Sequence, residues 1–114
     1  MRLNDEPYFQ RRHKQFERPV MSIARVRSIT FNTTKMADAF EPDFSKVGKD
    51  YVPELEHAYS IRTDDLTCLC ISIYPDTASL ERGVDQMASF ISDYGLSDTM
   101  SDNFFLTGSC TKFV

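Results

Sequence analysis

From Ser22 onward the polar and apolar positions change period several times along the chain. In "SIARVRSITFN" they alternate, with Ile23, Arg25, Arg27, Ile29 and Phe31 on one face and Ala24, Val26, Ser28 and Thr30 on the other. That period of two, rich in β-branched residues, predicts a strand. In "TTKMADAFEPDFSKVGKDYVPEL" the period becomes helical, because Met36, Phe40, Phe44, Val47 and Tyr51 recur at steps of three and four. Thr33 or Thr34 can cap its start. Pro42 lies inside the stripe and is expected to kink or interrupt the helix, since proline removes a backbone donor and crowds the preceding turn. Pro53 should end it.

Next, "HAYSIRT" and "LTCLCISIY" flank Asp64-Asp65, a polar pair suited to a tight turn. They predict a hairpin with strands near 57–63 and 66–74. After Pro75, Asp76 is a good N-cap for "TASLERGVDQMASFISDY", with Leu80, Val84, Met87, Ile91 and Tyr94 as its buried stripe and Gly95 as its C′ residue. "NFFLTGSCTKFV" reads as a last strand. The order β-α-β-β-α-β predicts an α+β, ferredoxin-like domain. Right-handed crossovers then give an antiparallel sheet ordered 4-1-3-2 with both helices on one face.

The third strand is apolar on both sides, Leu66, Cys68 and Cys70 against Leu69, Ile71 and Ile73. Two helices cover one face only, so the other face calls for a second cover. A two-fold pairing of identical sheets, a homodimer, is the simplest closed solution.

At 114 residues and 41% hydrophobic the chain suits one domain, taken as residues 21–114. Residues 1–20 form a charged amino-terminal extension. Arg2, Arg11, Arg12, Lys14 and Arg18 against Asp5, Glu6 and Glu17 make it +2, which leaves −6 for the rest of a −4 chain. It reads as a solvated extension with Phe9 and Phe16 laid on the domain, or as a docking arm for an acidic partner or anionic surface. Met21 is also an alternative start. The net charge argues against a nucleic-acid partner, and no run is long or apolar enough to span a membrane. With no signal-peptide pattern, a cytoplasmic location is expected, and the three cysteines read as free thiols.

Candidate chemistry is sparse. Cys68 and Cys70 share a strand face with backbones about 6.6 Å apart, a spacing that disfavours a disulfide. Cys110 lies two strands away, roughly 9–10 Å, so no ligand set for a metal is complete. Both cysteines read as small core residues. No phosphate loop or nucleophile elbow is present. Arg25 and Arg27 on an apolar strand face either snorkel at an edge, hold an anionic or polar ligand, or form an interface ion pair. His57 is a candidate general base or a surface residue. Tyr59 and Tyr74 offer hydroxyls for a pocket or cap a core edge.

"IARVRSITF" opening a domain of this order, followed by "HAYSIRTDDLTCLCISIYPDTASLERG", resembles the antibiotic-biosynthesis-monooxygenase type of dimeric α/β barrel. The likeness covers about residues 21–114. It implies a homodimer, a small apolar or aromatic ligand, and oxygenation of phenolic polycycles with no metal or flavin cofactor. Haem-degrading members also occur. Sites of that family combine asparagine, tryptophan and either arginine or histidine. This chain has no tryptophan, and Asn32 is the available asparagine counterpart. The ligand-pocket candidates are therefore Arg25, Asn32, His57, Tyr59 and Tyr74. Three functions compete: a small oxygenase, a non-catalytic ligand-binding or stress-associated dimer, and an adaptor acting through the amino-terminal arm.

Overall fold

The computed structural model describes residues 22–114. The charged extension, with Phe9, Phe16 and His13, lies outside the described residues, as does Met21. The elements are β1 (Ser22–Phe31), α1 (Thr34–Tyr51), β2 (His57–Arg62), β3 (Thr67–Tyr74), α2 (Thr77–Asp93) and β4 (Met100–Cys110). The strands form one antiparallel sheet ordered β2-β3-β1-β4. This is the ferredoxin-like α+β arrangement that the periodicity predicts.

Local chemistry sets the boundaries. Thr33 caps α1, its hydroxyl accepting from Met36 N at 3.2 Å. Asp76 caps α2 in the same way, accepting from Ser79 N at 2.8 Å. Gly95 follows α2 at φ 68, a left-handed conformation that side-chain-bearing residues resist. In the hairpin loop Asp64 Oδ1 accepts from Leu66 N at 2.9 Å and from Thr67 N at 2.8 Å. These bonds close the turn and hold the Asp64 carboxyl below its ordinary pKa.

Pro42 does not interrupt α1, which is helical on both sides of it. Pro42 and Asp38, the residue one turn back, are both exposed. The carbonyl that loses its helical donor can therefore bond to water, and the cost is met at the surface.

Two further expectations are corrected. First, β4 starts three residues earlier than Asn103 and ends at Cys110. Its register with β1 shifts between Ser28, which faces Phe104, and Ile29, which faces Asp102. Asn103 is thus the extra residue of a β-bulge, and a bulge breaks the alternation that marks a strand. Second, the buried side of α2 is Ser79, Leu80, Gly83 and Phe90. Phe90 is fully buried, whereas Val84 and Tyr94 are exposed. Phe90 sits among Phe40, Phe44, Tyr51 and Tyr94, with ring centroids 4.6–6.2 Å away. Phe40, Phe44, Tyr51 and Phe90 pack with Ile29, Phe31 and Cys68 in the main core. A second cluster joins Val52, Leu55, Tyr74 and Leu80.

The helices cover the face carrying Ile29, Phe31, Cys68 and Tyr74. The register places Val26, Leu69, Ile71, Ile73, Tyr59, Ile61, Phe104 and Leu106 on the opposite face. There Tyr59, Ile61, Phe104 and Leu106 are about half exposed.

Candidate functional site

Between the helices and the sheet lies a cavity of about 690 Å³. Its two sides differ in chemistry. The sheet supplies a largely polar floor: Arg25 and Arg27 from β1, Ser60 from β2, and Cys70, Ser72 and Tyr74 from β3. The helices supply a roof of Phe40 and Phe44 from α1 and Val84, Met87, Ala88 and Ile91 from α2, joined by Glu41, Ser45 and Lys49 of α1. The alternation of the strands explains the floor. Across the ladders Arg25 stands opposite Ser72 and Arg27 opposite Cys70, all on the helix side. The helical period explains the roof, because Val84, Met87 and Ile91 line the cavity, the latter two also touching the core, while Leu80, Gly83 and Phe90 are buried.

The polar groups of the floor are unequally satisfied. Arg27 grips Asp102 with two hydrogen bonds, Nε to Oδ1 at 2.5 Å and Nη2 to Oδ2 at 3.1 Å. The bulge makes this pair. With one extra residue in β4, Asp102 turns onto the helix side opposite Ile29, where uninterrupted alternation would have aimed it outward. The amide of Asn103 fixes the bulge by donating to Ser28 Oγ at 3.0 Å and Thr30 Oγ1 at 2.9 Å. Ser60 donates to Glu41 of α1 at 2.7 Å, closing the rim on the β2 side. Arg25 lays its guanidinium over the Phe105 ring, 4.2 Å from the centroid. Burial, then the charge of Arg27, pushes the Arg25 pKa down. Tyr74 is raised by burial, partly offset by the charge of Arg25.

The five sequence candidates separate in space. Arg25 and Tyr74 line the cavity together. Tyr59 borders it, but its ring pairs with that of His57 on the outer face, centroids 6.4 Å apart. His57 is exposed and lines a different hollow with Ser22, Glu56 and Lys112. Asn32 lies beyond the end of β1, is exposed, and donates to the Asp98 carbonyl at 3.2 Å. Asp102 went unnoticed in the sequence, since only the bulge brings it to the site.

Cys68 and Cys70 carry free thiols whose sulfurs approach to 3.6 Å, closer than their backbones, because the side chains lean together. Hydrogen bonding from Cys70 lowers the Cys68 pKa, whereas the same bond and burial raise that of Cys70. Cys68 belongs to the main core, and Cys70 reaches the cavity. Among the described residues no three His, Cys, Asp or Glu side chains gather to hold a metal ion. No described helix is long and apolar enough to cross a membrane.

No protein-family model matches the sequence, and a search of curated proteins finds no match. Solved structures do match. HapK from Hahella chejuensis is 15% identical, with a TM-score of 0.63 over 78% of this chain and 92% of its own. SnoaB from Streptomyces nogalater, a cofactor-independent oxygenase, is 12% identical, with a TM-score of 0.62 over 82% of this chain and 97% of its own. A de novo designed protein, Foldit4, is 14% identical with a TM-score of 0.52 over 80% of this chain and 98% of its own. The chain therefore shares the ferredoxin-like α+β fold of HapK and SnoaB. A designed protein with the same architecture shows why fold leaves activity to be argued from the site.

Proposed function

We propose that the protein is a cytoplasmic homodimer that oxygenates a small apolar or aromatic compound in this cavity, without metal or flavin. The observation that carries the reading is the two-sided cavity, with the apolar side chains Phe40, Phe44, Val84, Met87 and Ile91 of the helices over a sheet floor that bears arginines and hydroxyls. It lies in the fold of a cofactor-independent oxygenase. Residues 21–114 are the functional domain, and residues 1–20 are an appendage to it.

In such chemistry the substrate itself supplies the electrons. An ionised phenol or enol attacks dioxygen through carbon, forming a C–O bond and, after protonation, a hydroperoxide. Loss of the proton on that carbon then expels hydroxide from the O–O bond, leaving a ketone and, with one proton, water. The Arg25 guanidinium on the floor favours the ionised substrate, because opposite charge at close range stabilises the charged form. The roof excludes water from the ring and so strengthens that attraction.

A second reading, a non-catalytic ligand-binding dimer, is favoured by one observation. Asn32 stands away from the cavity, and the chain has no tryptophan, so the family's site constellation is not assembled there. Oxygen uptake separates the two readings. With anthrone or a naphthalenediol, the oxygenase reading expects uptake above the uncatalysed rate and one atom of labelled dioxygen in the product. Calorimetric binding without uptake would replace it with the second reading. Absence of binding would remove both.

A further inference from the structure

We propose that the occupant of the cavity carries a carboxylate, received edge-on by the Arg25 guanidinium beneath the apolar roof. This rests on the cavity being a ligand site, and it adds the ligand's permanent charge and where that charge is held.

Five charged side chains line the cavity. Three are positive, Arg25, Arg27 and Lys49, and two are negative, Glu41 and Asp102. Both oxygens of Asp102 are committed to Arg27. Glu41 accepts from Ser60, and Lys49 donates to the Leu55 carbonyl. Arg25 is the lining charge without a hydrogen-bonded partner among the described residues. Among the described residues its contact is with the face of the Phe105 ring, while Asp102 acts on it through charge alone.

With its central carbon over the Phe105 ring and no hydrogen bond to a described residue, the Arg25 guanidinium keeps its planar fork of N–H donors available. A planar carboxylate meets such an edge with two parallel charge-assisted bonds, the strongest polar contact available to a side chain. Across the ladder from Arg25 stands Ser72, and Tyr74 follows two residues on, so hydroxyls border the same part of the floor. The same cavity is lined by Phe44, Val84 and Met87 of the helices, which suit a ring or alicyclic body attached to the carboxylate. Arg25 is partly withdrawn from water and repelled by Arg27, which is costly for a cation left without an anion.

The test compares 2-naphthoic acid with 2-naphthamide, which match in shape and differ in charge, by calorimetry on the full chain at about pH 7. The acid is expected to bind about tenfold more tightly, a difference near 1.4 kcal/mol. Arg25→Gln should abolish the preference while leaving amide binding in place, which also certifies that the variant's cavity is formed. Arg25→Lys should restore part of the preference, keeping the charge but losing the fork. Equal binding of acid and amide would overturn the carboxylate inference and leave the ligand-site reading standing. A preference that survives in Arg25→Gln would move the anion to another group and overturn it too. Failure of both probes to bind would remove the ligand-site reading along with it.

Discussion

Tyr74 fills the space in which residue 83 would carry a Cβ: its ring Cε2 and hydroxyl lie 2.5 and 2.6 Å from that position. Gly83 thereby lets β3 and α2 approach closely enough for Tyr74, which also lines the cavity, to be buried.

Gly83→Ala should therefore destabilise the protein although alanine is the better helix former. The propensity gain is about 1 kcal/mol, against an overpacking cost of about 1–3 kcal/mol. Urea denaturation should show a net loss of up to about 2 kcal/mol. In a Tyr74→Leu background the obstruction is gone and the same substitution should stabilise by about 1 kcal/mol. A stabilising Gly83→Ala in the wild-type background would mean that Tyr74 yields freely.

The bulge at Asn103 connects the fold to the site. Asn103→Ala removes two hydrogen bonds, one of them to the buried Ser28, each worth about 0.5–1.5 kcal/mol, so a loss of about 1–2 kcal/mol is expected. Because the bulge aims Asp102 at Arg27, Asp102→Asn should cost less in the Asn103→Ala background than alone. Strict additivity of the two substitutions would dissociate the bulge from the ion pair.

The same bulge marks where the sequence stopped being readable. Alternation carries β1 and β3 well, because side chains of period two meet a buried face, and it places Arg25 and Tyr74 on the cavity side. An inserted residue reverses that alternation, so the first residues of β4 and the role of Asp102 leave no periodic signal. In α2 the stripe Leu80, Val84, Met87 and Ile91 is apolar throughout, yet its Val84 and Ile91 face a cavity while Phe90 faces the core. Hydrophobicity cannot distinguish a packed neighbour from an open space. Asn32 and His57 fall outside the cavity for geometric reasons, one lying past a strand end and the other alternating outward.

Acid should weaken the hairpin. The Asp64 carboxyl is held below its ordinary 3.8 by the N–H groups of Leu66 and Thr67. A carboxyl lowered in the folded state contributes stability above its unfolded pKa and loses it as pH falls through the folded value. Asp64→Ala should therefore be less stable than wild type near neutrality, and the gap should close as pH falls below 3.8. Asp64→Asn keeps an acceptor and should fall between the two. A gap that is constant across that range would show that the carboxylate charge is irrelevant to the turn.

The proposed homodimer rests on the sheet face that the helices leave open. Val26, Leu69, Ile71 and Ile73 line its centre, and Tyr59, Ile61, Phe104 and Leu106 extend it to both edge strands. Four of these are about half exposed, giving a contiguous apolar surface larger than monomers usually present to water. A stable interface buries about 800 Å² on each partner, and a four-stranded sheet face offers area of that order. At about 25 cal/mol per Å² of apolar surface, the gain is large enough to survive the entropic cost of association. Identical faces close on each other by a two-fold axis without leaving a new apolar edge. Light scattering of the full chain at micromolar concentration should return about twice the 13.1 kDa chain mass. Leu106→Lys should lower the mass toward the monomer, since the lysine would be buried against its own symmetry mate, whereas on a free surface it would cost almost nothing. A monomeric wild type would overturn the dimer and turn attention to residues 1–20 as the cover, which comparison with a chain beginning at Met21 would then decide.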